Sequence, residues 1–232
     1  APYYGSMGGT PLNAPVVGIA ATSDRKGYWL VASDGGVFSF GDANFYGSAG
    51  NQRLSSPIVG IAPTPTGMGY WLVAANGEVF NYGDAPSLGS PTGAHLNKPV
   101  VGMASSLDGQ GYWLAAADGG IFNYGDAGFH GSAGALPLNK PVVGMAATPT
   151  GNGYWLVASD GGVFTYGDAN FYGSTGSLTL NKPVVGMATP TQGAGYWLVA
   201  SDGGIFAYDN ALFEGSMGGK PLNKPVVGMA EG

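Results

Sequence analysis

Short apolar runs alternate with glycine-rich polar turns along the whole chain, and the same arrangement returns every 42 residues. The segment Gly-Tyr-Trp begins at Gly27, Gly69, Gly111, Gly153 and Gly195. A second segment, Pro-Val/Ile-Val-Gly-Ile/Met-Ala, begins at Pro15, Pro57, Pro99, Pro141, Pro183 and Pro225. A third, of the Phe-Tyr-Gly-Ser type, ends at Ser6, Ser48, Ser90, Ser132, Ser174 and Ser216. Because no insertion or deletion interrupts this spacing, the chain is a tandem repeat of five full units with about half a unit more.

Each unit is predicted to form four short strands. In the fourth unit these are residues 142–146, 154–158, 163–166 and 171–174. Asp160-Gly161, between the second and third strands, fits a type I′ hairpin turn, in which both central residues have positive φ. Residues 175–182 form a longer link to the next unit. No segment has helical periodicity with capping residues, so the prediction is an all-β fold.

Four antiparallel strands per unit with a longer link between units predict a five-bladed β-propeller of 42-residue blades. Apolar residues fall on both faces of the second strand, as expected where a blade packs against a neighbour on each side. A stacked solenoid is the alternative architecture. The propeller is expected to be a single repeat domain over residues 1–232. Its blades are residues 15–56, 57–98, 99–140, 141–182 and 183–224.

A surplus half-repeat is divided between the two ends of the chain. Residues 1–14 duplicate the role of 211–224, and residues 225–232 duplicate the role of 15–22. Three explanations fit: a frayed end, a fragment of a longer array, or an adhesive end that pairs with another molecule. An unpaired strand edge promotes association unless it is covered, which keeps the third explanation open.

The amino-acid composition indicates a folded protein and argues against some classes of partner. Glycine accounts for 44 of 232 residues and charged residues for only 9%, but aromatic residues reach 12%, whereas disordered chains are poor in them. A net charge of −6 with eight Lys or Arg residues argues against nucleic acid. No apolar run approaches the roughly 18 residues of a membrane helix. The chain has no cysteine, so disulfides and thiolate metal sites are excluded and the redox compartment stays open. It begins Ala1-Pro2, as a secreted protein would after removal of a signal peptide, and a sequence trimmed to the limits of a domain would begin in the same way.

Catalytic and metal-binding residues are not predicted. The two histidines, His95 and His130, occupy different positions of the repeat. At the position of His130 the other units have Tyr46, Leu88, Tyr172 and Glu214, a variety typical of an exposed site. The chain has no nucleophile elbow, phosphate loop or zinc-protease motif. We therefore expect no enzymatic activity, no metal site and no cofactor.

Acidic residues recur in two columns, a column being the set of residues at one position of successive units. The first column is Asp34, Asn76, Asp118, Asp160 and Asp202. The second is Asp42, Asp84, Asp126 and Asp168, with the fifth copy shifted to Asp209-Asn210. Asp and Asn are typical turn residues, and each loop supplies one carboxylate where calcium needs several oxygen ligands. Turn formation is thus the simpler interpretation, and ligand binding is the alternative.

Aromatic and link residues supply the remaining candidates. The Tyr-Trp pairs and the column of Phe38 are expected mainly to fill the space between blades. Tyr4, Tyr46 and Tyr172 form a variable column that is predicted to be the exposed aromatic platform. The links carry Asn-Lys pairs, whose asparagines are Asn97, Asn139, Asn181 and Asn223. In a propeller these links share a face with the Asp-Gly turns, so Asp, Asn and Lys would form a polar ring suited to hydroxyl-rich ligands.

The repeat resembles a known group of sequences. Gly-Tyr-Trp-Leu-Val-Ala-Ser-Asp-Gly-Gly-Val-Phe at residues 153–164, followed by Tyr-Gly-Asp-Ala and Phe-Tyr-Gly-Ser, is similar to tandem repeats of secreted actinobacterial proteins. Those repeats often accompany cell-wall hydrolases and other extracellular modules. The resemblance covers the whole chain and implies a secreted or cell-surface accessory module. The architecture is also similar to that of tachylectin-2-type five-bladed lectins, a likeness of fold alone.

The leading hypothesis is a non-catalytic, lectin-like module that binds carbohydrate or cell-wall polymer at several near-equivalent sites. The alternative is a structural protein that self-assembles outside the cell through its surplus terminal strands. A protein-binding scaffold and a consensus-like repeat protein with no function beyond folding also stay open.

Overall fold

A computed structural model of the chain describes residues 2–190 and 194–231. Ala1, residues 191–193 and Gly232, which belong to the N-terminal half-repeat, the fifth unit and the C-terminal segment, lie outside the described residues. Within the described part the fold is all-β, with fifteen strands in five antiparallel sheets of three strands. Each 42-residue unit supplies one sheet, which confirms the predicted five-unit β repeat.

Consecutive strands pair with each other, so the middle strand of every sheet is hydrogen-bonded on both sides. The first strands are β1 (Val16–Ala21), β4 (Ile58–Pro63), β7 (Val100–Ser105), β10 (Val142–Ala147) and β13 (Val184–Ala188). The middle strands are β2 (Gly27–Ala32), β5 (Gly69–Ala74), β8 (Gly111–Ala116), β11 (Gly153–Ala158) and β14 (Tyr196–Ala200). The third strands are β3 (Val37–Gly41), β6 (Val79–Gly83), β9 (Ile121–Gly125), β12 (Val163–Gly167) and β15 (Ile205–Tyr208).

The middle strands of the three inner sheets, β5, β8 and β11, are covered on both faces. Every residue of β5 is buried, including Trp71 and Leu72, whose side chains point to opposite faces of the sheet. Trp71 lies opposite Ala62 on β4 and Asn81 on β6. The apolar residues on both faces of the second predicted strand therefore mark a strand packed between neighbours, as expected from the sequence.

The hairpin turns differ from the predicted type I′ geometry. In the fourth unit the N–H of Gly161 donates to the carbonyl of Ala158 over 2.8 Å. Gly161 has a φ of 78°, and Asp160 is not among the residues with positive φ. Hairpin loops longer than two residues commonly combine a type I turn with a following glycine in the left-handed region. Asp160 is thus held in an ordinary conformation, and only the glycine requires the left-handed region.

The predicted fourth strand is not part of the sheets. Residues 45–48 and their counterparts form no strand, because their backbone is bonded to the next unit instead of to the third strand. The carbonyl of Gly47 accepts the hydroxyl of Tyr70 over 2.6 Å. Gly47 has a φ of 135°, and a Cβ there would lie 2.5 Å from the ring of Tyr82. Glycine is needed at this place because the tyrosine ring of the following unit lies directly on the backbone.

Successive sheets pack through their first strands, so that β1 lies against β4, β4 against β7, β7 against β10 and β10 against β13. The N–H of Ile58 donates to the carbonyl of Ser33 over 2.9 Å, and the same bond joins each later pair of units. The apolar core is divided into four clusters, each made of side chains from two successive units. One of them brings together Trp71, Tyr112 and Leu114.

The C-terminal surplus segment lies beside the fifth sheet in the position of a further first strand. The N–H of Val226 donates to the carbonyl of Ser201 over 2.9 Å, as the first strand of each following unit does. An ion pair of 2.9 Å between Arg25 and Glu231 then joins this segment to the first unit. The series of first strands therefore has six positions and leads back to the first unit.

The N-terminal surplus segment lies on the first unit. Its Gly5 carbonyl accepts the hydroxyl of Tyr28, as Gly47 does for Tyr70. A Cβ on Gly5 would lie 2.5 Å from the ring of Phe40. Residues 3–6 thus hold the place that the end of a preceding unit would hold.

Candidate functional site

An exposed aromatic ring occupies the same position in most units, directly after the third strand and its turn. The rings are Phe45, Phe129, Phe171 and Phe213, with exposed fractions of 60%, 59%, 60% and 61%. The N-terminal segment has Tyr3 at this position, 78% exposed, and the second unit has Ser87. Large rings that are left exposed in one repeated geometry are candidates for a binding surface.

The backbone is anchored on both sides of Phe45, Phe129 and Phe171, and on the preceding side of Phe213. The carbonyl of Asn44, just before Phe45, accepts the indole N–H of Trp29 over 2.8 Å. Just after it, the N–H of Tyr46 donates to the hydroxyl of Tyr70 over 3.2 Å. Equivalent indole bonds of 2.6, 2.7 and 2.7 Å are made by Trp113 to Gly128, Trp155 to Asn170 and Trp197 to Leu212. A ring fixed in this way loses little conformational entropy when a ligand stacks on it.

Tyr46 and Tyr172, the predicted platform residues, are half-buried. The ring of Tyr46 lies 5.9 Å from that of Tyr70, and its hydroxyl donates to the carbonyl of Gly67 over 3.0 Å. Tyr172 packs against Trp155 and Tyr196 at 6.3 and 5.6 Å. The exposed aromatic column is thus one residue earlier in the sequence than the predicted one.

The Asp and Asn side chains of the hairpin turns are half-buried, and each bonds its own turn. An Oδ1 atom accepts the N–H two residues later in every unit. The distance is 3.0 Å for Asp34, Asp118, Asp160 and Asp202, and 3.1 Å for Asn76. This is the turn chemistry expected of these residues, and it engages one oxygen of each side chain.

The structure brings the turn column and the link column together in shallow grooves. In the fourth unit a groove of about 320 Å³ is lined by Asp160, Asn181, Lys140 and Lys182. A corresponding groove of about 310 Å³ in the first unit contains Asp34 and the link residue Asn13. Asn97, Asn139, Asn181 and Asn223 are all exposed.

The second unit differs in this region. Asn76 Nδ2 donates to Ser55 Oγ over 2.9 Å, and Ser55 Oγ donates to Glu78 Oε2 over 2.9 Å. Ser55 stands where other links have asparagine, and Glu78 where other hairpins have glycine. The polar groups of this unit are therefore bonded to one another, which distinguishes it from the first and fourth units.

The second acidic column lies at the opposite end of the hairpins. Asp84 accepts hydrogen bonds from Thr64 over 2.8 Å and Thr66 over 2.5 Å. In the third unit Asp108 stands in the place of Thr66 and faces Asp126. Burial raises the pKa of Asp126, and its hydrogen bond with Asp108 and the charge of Asp108 raise it further. The hydrogen bond from the N–H of Gln110, together with that from Ser106, lowers the pKa of Asp108.

His130 is half-buried, which differs from the exposed position predicted for it. Its ring lies 6.2 Å from Trp113 and 5.6 Å from Tyr154, because this column packs between units. Its Nε2 atom is buried without a hydrogen-bond partner among the described residues. His95 is exposed. Over residues 2–190 and 194–231 no three acidic or histidine side chains are grouped so that they could hold a metal ion.

The same part of the chain contains no helix long and apolar enough to cross a membrane.

The exposed phenylalanine column is the feature that sequence reasoning missed. The segment Phe-Tyr-Gly-Ser has the residue pattern of a strand, and the variety at its second residue is typical of an exposed position, so the pattern favours the second residue as the platform. The recurrence of an aromatic residue at Tyr3, Phe45, Phe129, Phe171 and Phe213 is the pattern that could have revealed it. No protein-family model matches this chain, and a search of curated proteins finds no relative.

Proposed function

We propose that this chain is a non-catalytic binding module that attaches to carbohydrate, such as a cell-wall polysaccharide, through several near-equivalent sites. The observation that carries the proposal is the column of anchored, exposed rings at Phe45, Phe129, Phe171 and Phe213, each about 60% exposed. Tyr3 is a fifth exposed ring at the same position of the repeat, and only the second unit, with Ser87, lacks one.

Sugar rings suit these side chains chemically. One face of a pyranose is lined with C–H groups, which can cover an aromatic ring and remove its apolar area from water. The hydroxyl groups at the edge of the sugar need polar partners, and backbone groups of the surrounding loops can supply them. Only 9% of the residues are charged and the net charge is −6, so a neutral ligand fits better than a polyanion.

The repetition of the exposed rings along the chain fits a polymeric ligand. Each ring offers a small contact area, so a single site would bind weakly. Several identical sites on one molecule convert later binding events on the same polymer into intramolecular ones and multiply the affinity. The grooves that contain Asp34 with Asn13 and Asp160 with Asn181 are a second set of polar sites for the same ligand class.

We also propose a fold architecture and a location outside the cell for this protein. We interpret the five sheets as the blades of a β-propeller that forms a single lectin-like domain. The serial packing of the first strands and the Arg25–Glu231 ion pair support that interpretation. The resemblance of the repeats to those of secreted actinobacterial proteins supports a position outside the cell, in secreted form or at the cell surface.

The test is a sedimentation assay of the full chain with insoluble polysaccharides, including peptidoglycan, cellulose and chitin. We expect saturable binding to at least one of them. Replacing Phe45, Phe129, Phe171 and Phe213 together by alanine should weaken it about a hundredfold or more, because several linked contacts are lost. Single replacements should weaken it by a few-fold each.

The matched control replaces apolar side chains of similar exposure that lie outside the column. Met68 and Leu107, which are 56% and 57% exposed and lie outside both grooves, serve this purpose. Their alanine variants should bind like the unaltered chain. Absence of binding to every polymer, or equal loss in both sets of variants, would refute the proposal.

A further inference from the structure

A small pocket lies between the second and third units, beside residues 86–90. Trp71, Val79 and Asn81 of the second unit line it, together with Leu88 and with Tyr112 of the third unit. Its volume is about 90 Å³. A water molecule takes up roughly 30 Å³ in the liquid. The pocket therefore has room for a small substituent but not for a whole sugar ring.

The second unit lacks two rings that other units have beside this position. Ser87 stands where most units have the exposed phenylalanine, and Leu88 follows it. At the position of Leu88 the first, third and fourth units have rings that lie 5.9, 5.6 and 5.6 Å from the tyrosine of the following unit, namely Tyr46, His130 and Tyr172. Leu88 packs against the same interface without a ring. We attribute the open space between Trp71 and Tyr112 to this difference.

The backbone of Leu88 also keeps an unused hydrogen-bond donor. The N–H groups of Tyr46, His130 and Tyr172 each donate to a tyrosine hydroxyl of the following unit over 3.2 Å. Within the described part of the chain the N–H of Leu88 makes no such bond to Tyr112. Leu88 is half-buried, and a buried donor is stabilised by an acceptor.

Asn81 adds an amide group to the same pocket. It is exposed and lies directly opposite Trp71 on the neighbouring strand. In the third unit the equivalent Asn123 donates its Nδ2 to the carbonyl of Ala127 over 2.8 Å. The side chain of Asn81 makes no hydrogen bond to any described residue. Because a carboxamide both donates and accepts, Asn81 offers two kinds of hydrogen bond to a ligand.

These features together restrict the chemistry of the occupant. A hydroxyl group would leave the apolar surfaces of Trp71 and Val79 uncovered. A methyl group alone would leave the N–H of Leu88 without an acceptor. A charged group would find no opposite charge, because no residue that lines the pocket is charged. A small amide that carries a methyl group meets all three conditions.

On the basis of the carbohydrate binding proposed above, we propose that this pocket binds the acetamido group of an N-acetylated sugar residue. The methyl group packs on Trp71 and Val79. The carbonyl oxygen accepts the N–H of Leu88, and the amide N–H donates to Asn81 Oδ1. The second unit thus recognises a substituent of the sugar, whereas the units with exposed rings contact the face of a sugar. The protein therefore prefers N-acetylated polysaccharides to those with a hydroxyl group at the same carbon.

The probes are two neutral tetrasaccharides, cellotetraose and N-acetylated chitotetraose, added to the full chain. They share one backbone and differ in whether each sugar carries a hydroxyl or an acetamido group. We expect both to bind, and the N-acetylated one about tenfold more tightly, because only it fills the pocket. The indole N–H of Trp71 donates to the carbonyl of Pro86 over 2.9 Å, so its resonance reports on the pocket. That resonance should shift with the N-acetylated tetrasaccharide and not with cellotetraose.

Two variants test the location. Leu88→Tyr fills the pocket with the ring that the first and fourth units have at this position. Asn81→Ala removes the amide from an exposed position and leaves the core intact. Both should lower the preference to about threefold or less. Leu107→Tyr is the control, because it adds the same ring at an exposed site outside the pocket and should keep the preference near tenfold.

The outcomes separate this pocket from carbohydrate binding in general. Equal affinity of the unaltered chain for the two tetrasaccharides would overturn the acetamido pocket and leave carbohydrate binding intact. A preference that persists in both Leu88→Tyr and Asn81→Ala would also overturn it, because the selection would then lie elsewhere. Absence of binding to both tetrasaccharides and to every polymer would refute the pocket and the proposed function together.

Discussion

The indole ring of Trp71 lies 5.7 Å from the phenol ring of Tyr112, at an angle of 59° between the ring planes. Trp71 belongs to the second unit and Tyr112 to the third, and both are at most 1% exposed. This contact therefore joins two units and is not part of either sheet alone. Its repetition explains how three-stranded sheets, which have little core of their own, are held in one series.

Trp71→Ala should destabilise the protein strongly, because it empties the middle of one interface and removes the indole bond to the Pro86 carbonyl. Large-to-small changes of this kind cost about 3–5 kcal/mol. Trp197→Ala should cost clearly less, since that ring is only partly buried. Urea unfolding of the two variants measures the difference, and equal costs would contradict this account of the interfaces.

The sequence specified the repeat, the first three strands of each unit and the positions of the hairpin turns, because each depends on local residue types at a fixed spacing. The middle strand, for example, was predicted at residues 154–158 and is found at Gly153–Ala158. The prediction of a fourth strand was wrong because that segment is bonded to the next unit instead of to its own sheet. The carbonyl of Gly131, at the end of the third unit, accepts the hydroxyl of Tyr154 over 2.6 Å. The residue pattern of a strand does not show which hydrogen-bond partner its backbone groups will have.

The candidate site was only partly predictable. The spacing indicated that the Asp-Gly turns and the links share one face, and the groove with Asp160 and Asn181 is consistent with that expectation. The exposed ring column was not found, because neighbouring aromatic residues such as Phe171 and Tyr172 differ in burial only through the packing of the next unit.

Gly83→Ala should destabilise the second unit. Gly83 has a φ of 67°, and a Cβ there would lie 2.1 Å from the carbonyl oxygen of Met68. The backbone must move to admit it, so we expect a cost of at least about 1–3 kcal/mol, the usual range for a strained backbone position. Gly93→Ala is the control, because Gly93 has a φ of 85° but no neighbour within 4 Å. Thermal unfolding should separate the two variants, and similar melting temperatures would count against the close contact.

Tyr112 should make the protein sensitive to alkali. Burial, and to a smaller extent the charge of Tyr124, raises the pKa of Tyr112 to about 12 from its ordinary value of 10.0. The folded state then keeps a proton that the unfolded state has lost, so the stabilising contribution is complete below pH 10 and is lost as the pH rises towards 12.

Tyr112→Phe should therefore lower stability by about 1 kcal/mol at neutral pH, through loss of the hydroxyl bond to Gly89, and lessen the alkaline decline. Urea unfolding at several pH values, with phenolate absorbance as a second signal, measures both effects. An alkaline decline unchanged by the substitution would disprove the assignment.

Asp108→Thr should stabilise the protein at neutral pH, because it turns the third unit into the arrangement of the second. In the third unit Asp108 and Asp126 face each other, and burial followed by the hydrogen bond and charge of Asp108 raises the pKa of Asp126. A raised folded pKa stabilises the protein below the unfolded value of 3.8 and loses that contribution as the pH rises through the folded value.

The pKa of Asp108 is shifted in the opposite direction, so its contribution to stability has the opposite pH dependence. Its lowered pKa, caused first by the Gln110 N–H and then by Ser106, contributes stability above 3.8 that disappears as the pH falls. Threonine keeps an acceptor for the N–H two residues later, as Thr66 does for Met68 over 3.1 Å, and adds a hydroxyl that donates to the facing carboxylate.

The gain from Asp108→Thr should therefore be largest near pH 7 and shrink as the pH falls, because protonation of Asp126 in the unaltered chain removes its repulsion with Asp108. The reverse change in the fourth unit, Thr150→Asp, places a carboxylate opposite Asp168 and should destabilise at neutral pH but much less in acid. Melting temperatures of both variants across this pH range measure the effect. Parallel pH profiles for the variants and the unaltered chain would show that the two carboxylates of the third unit do not act on each other.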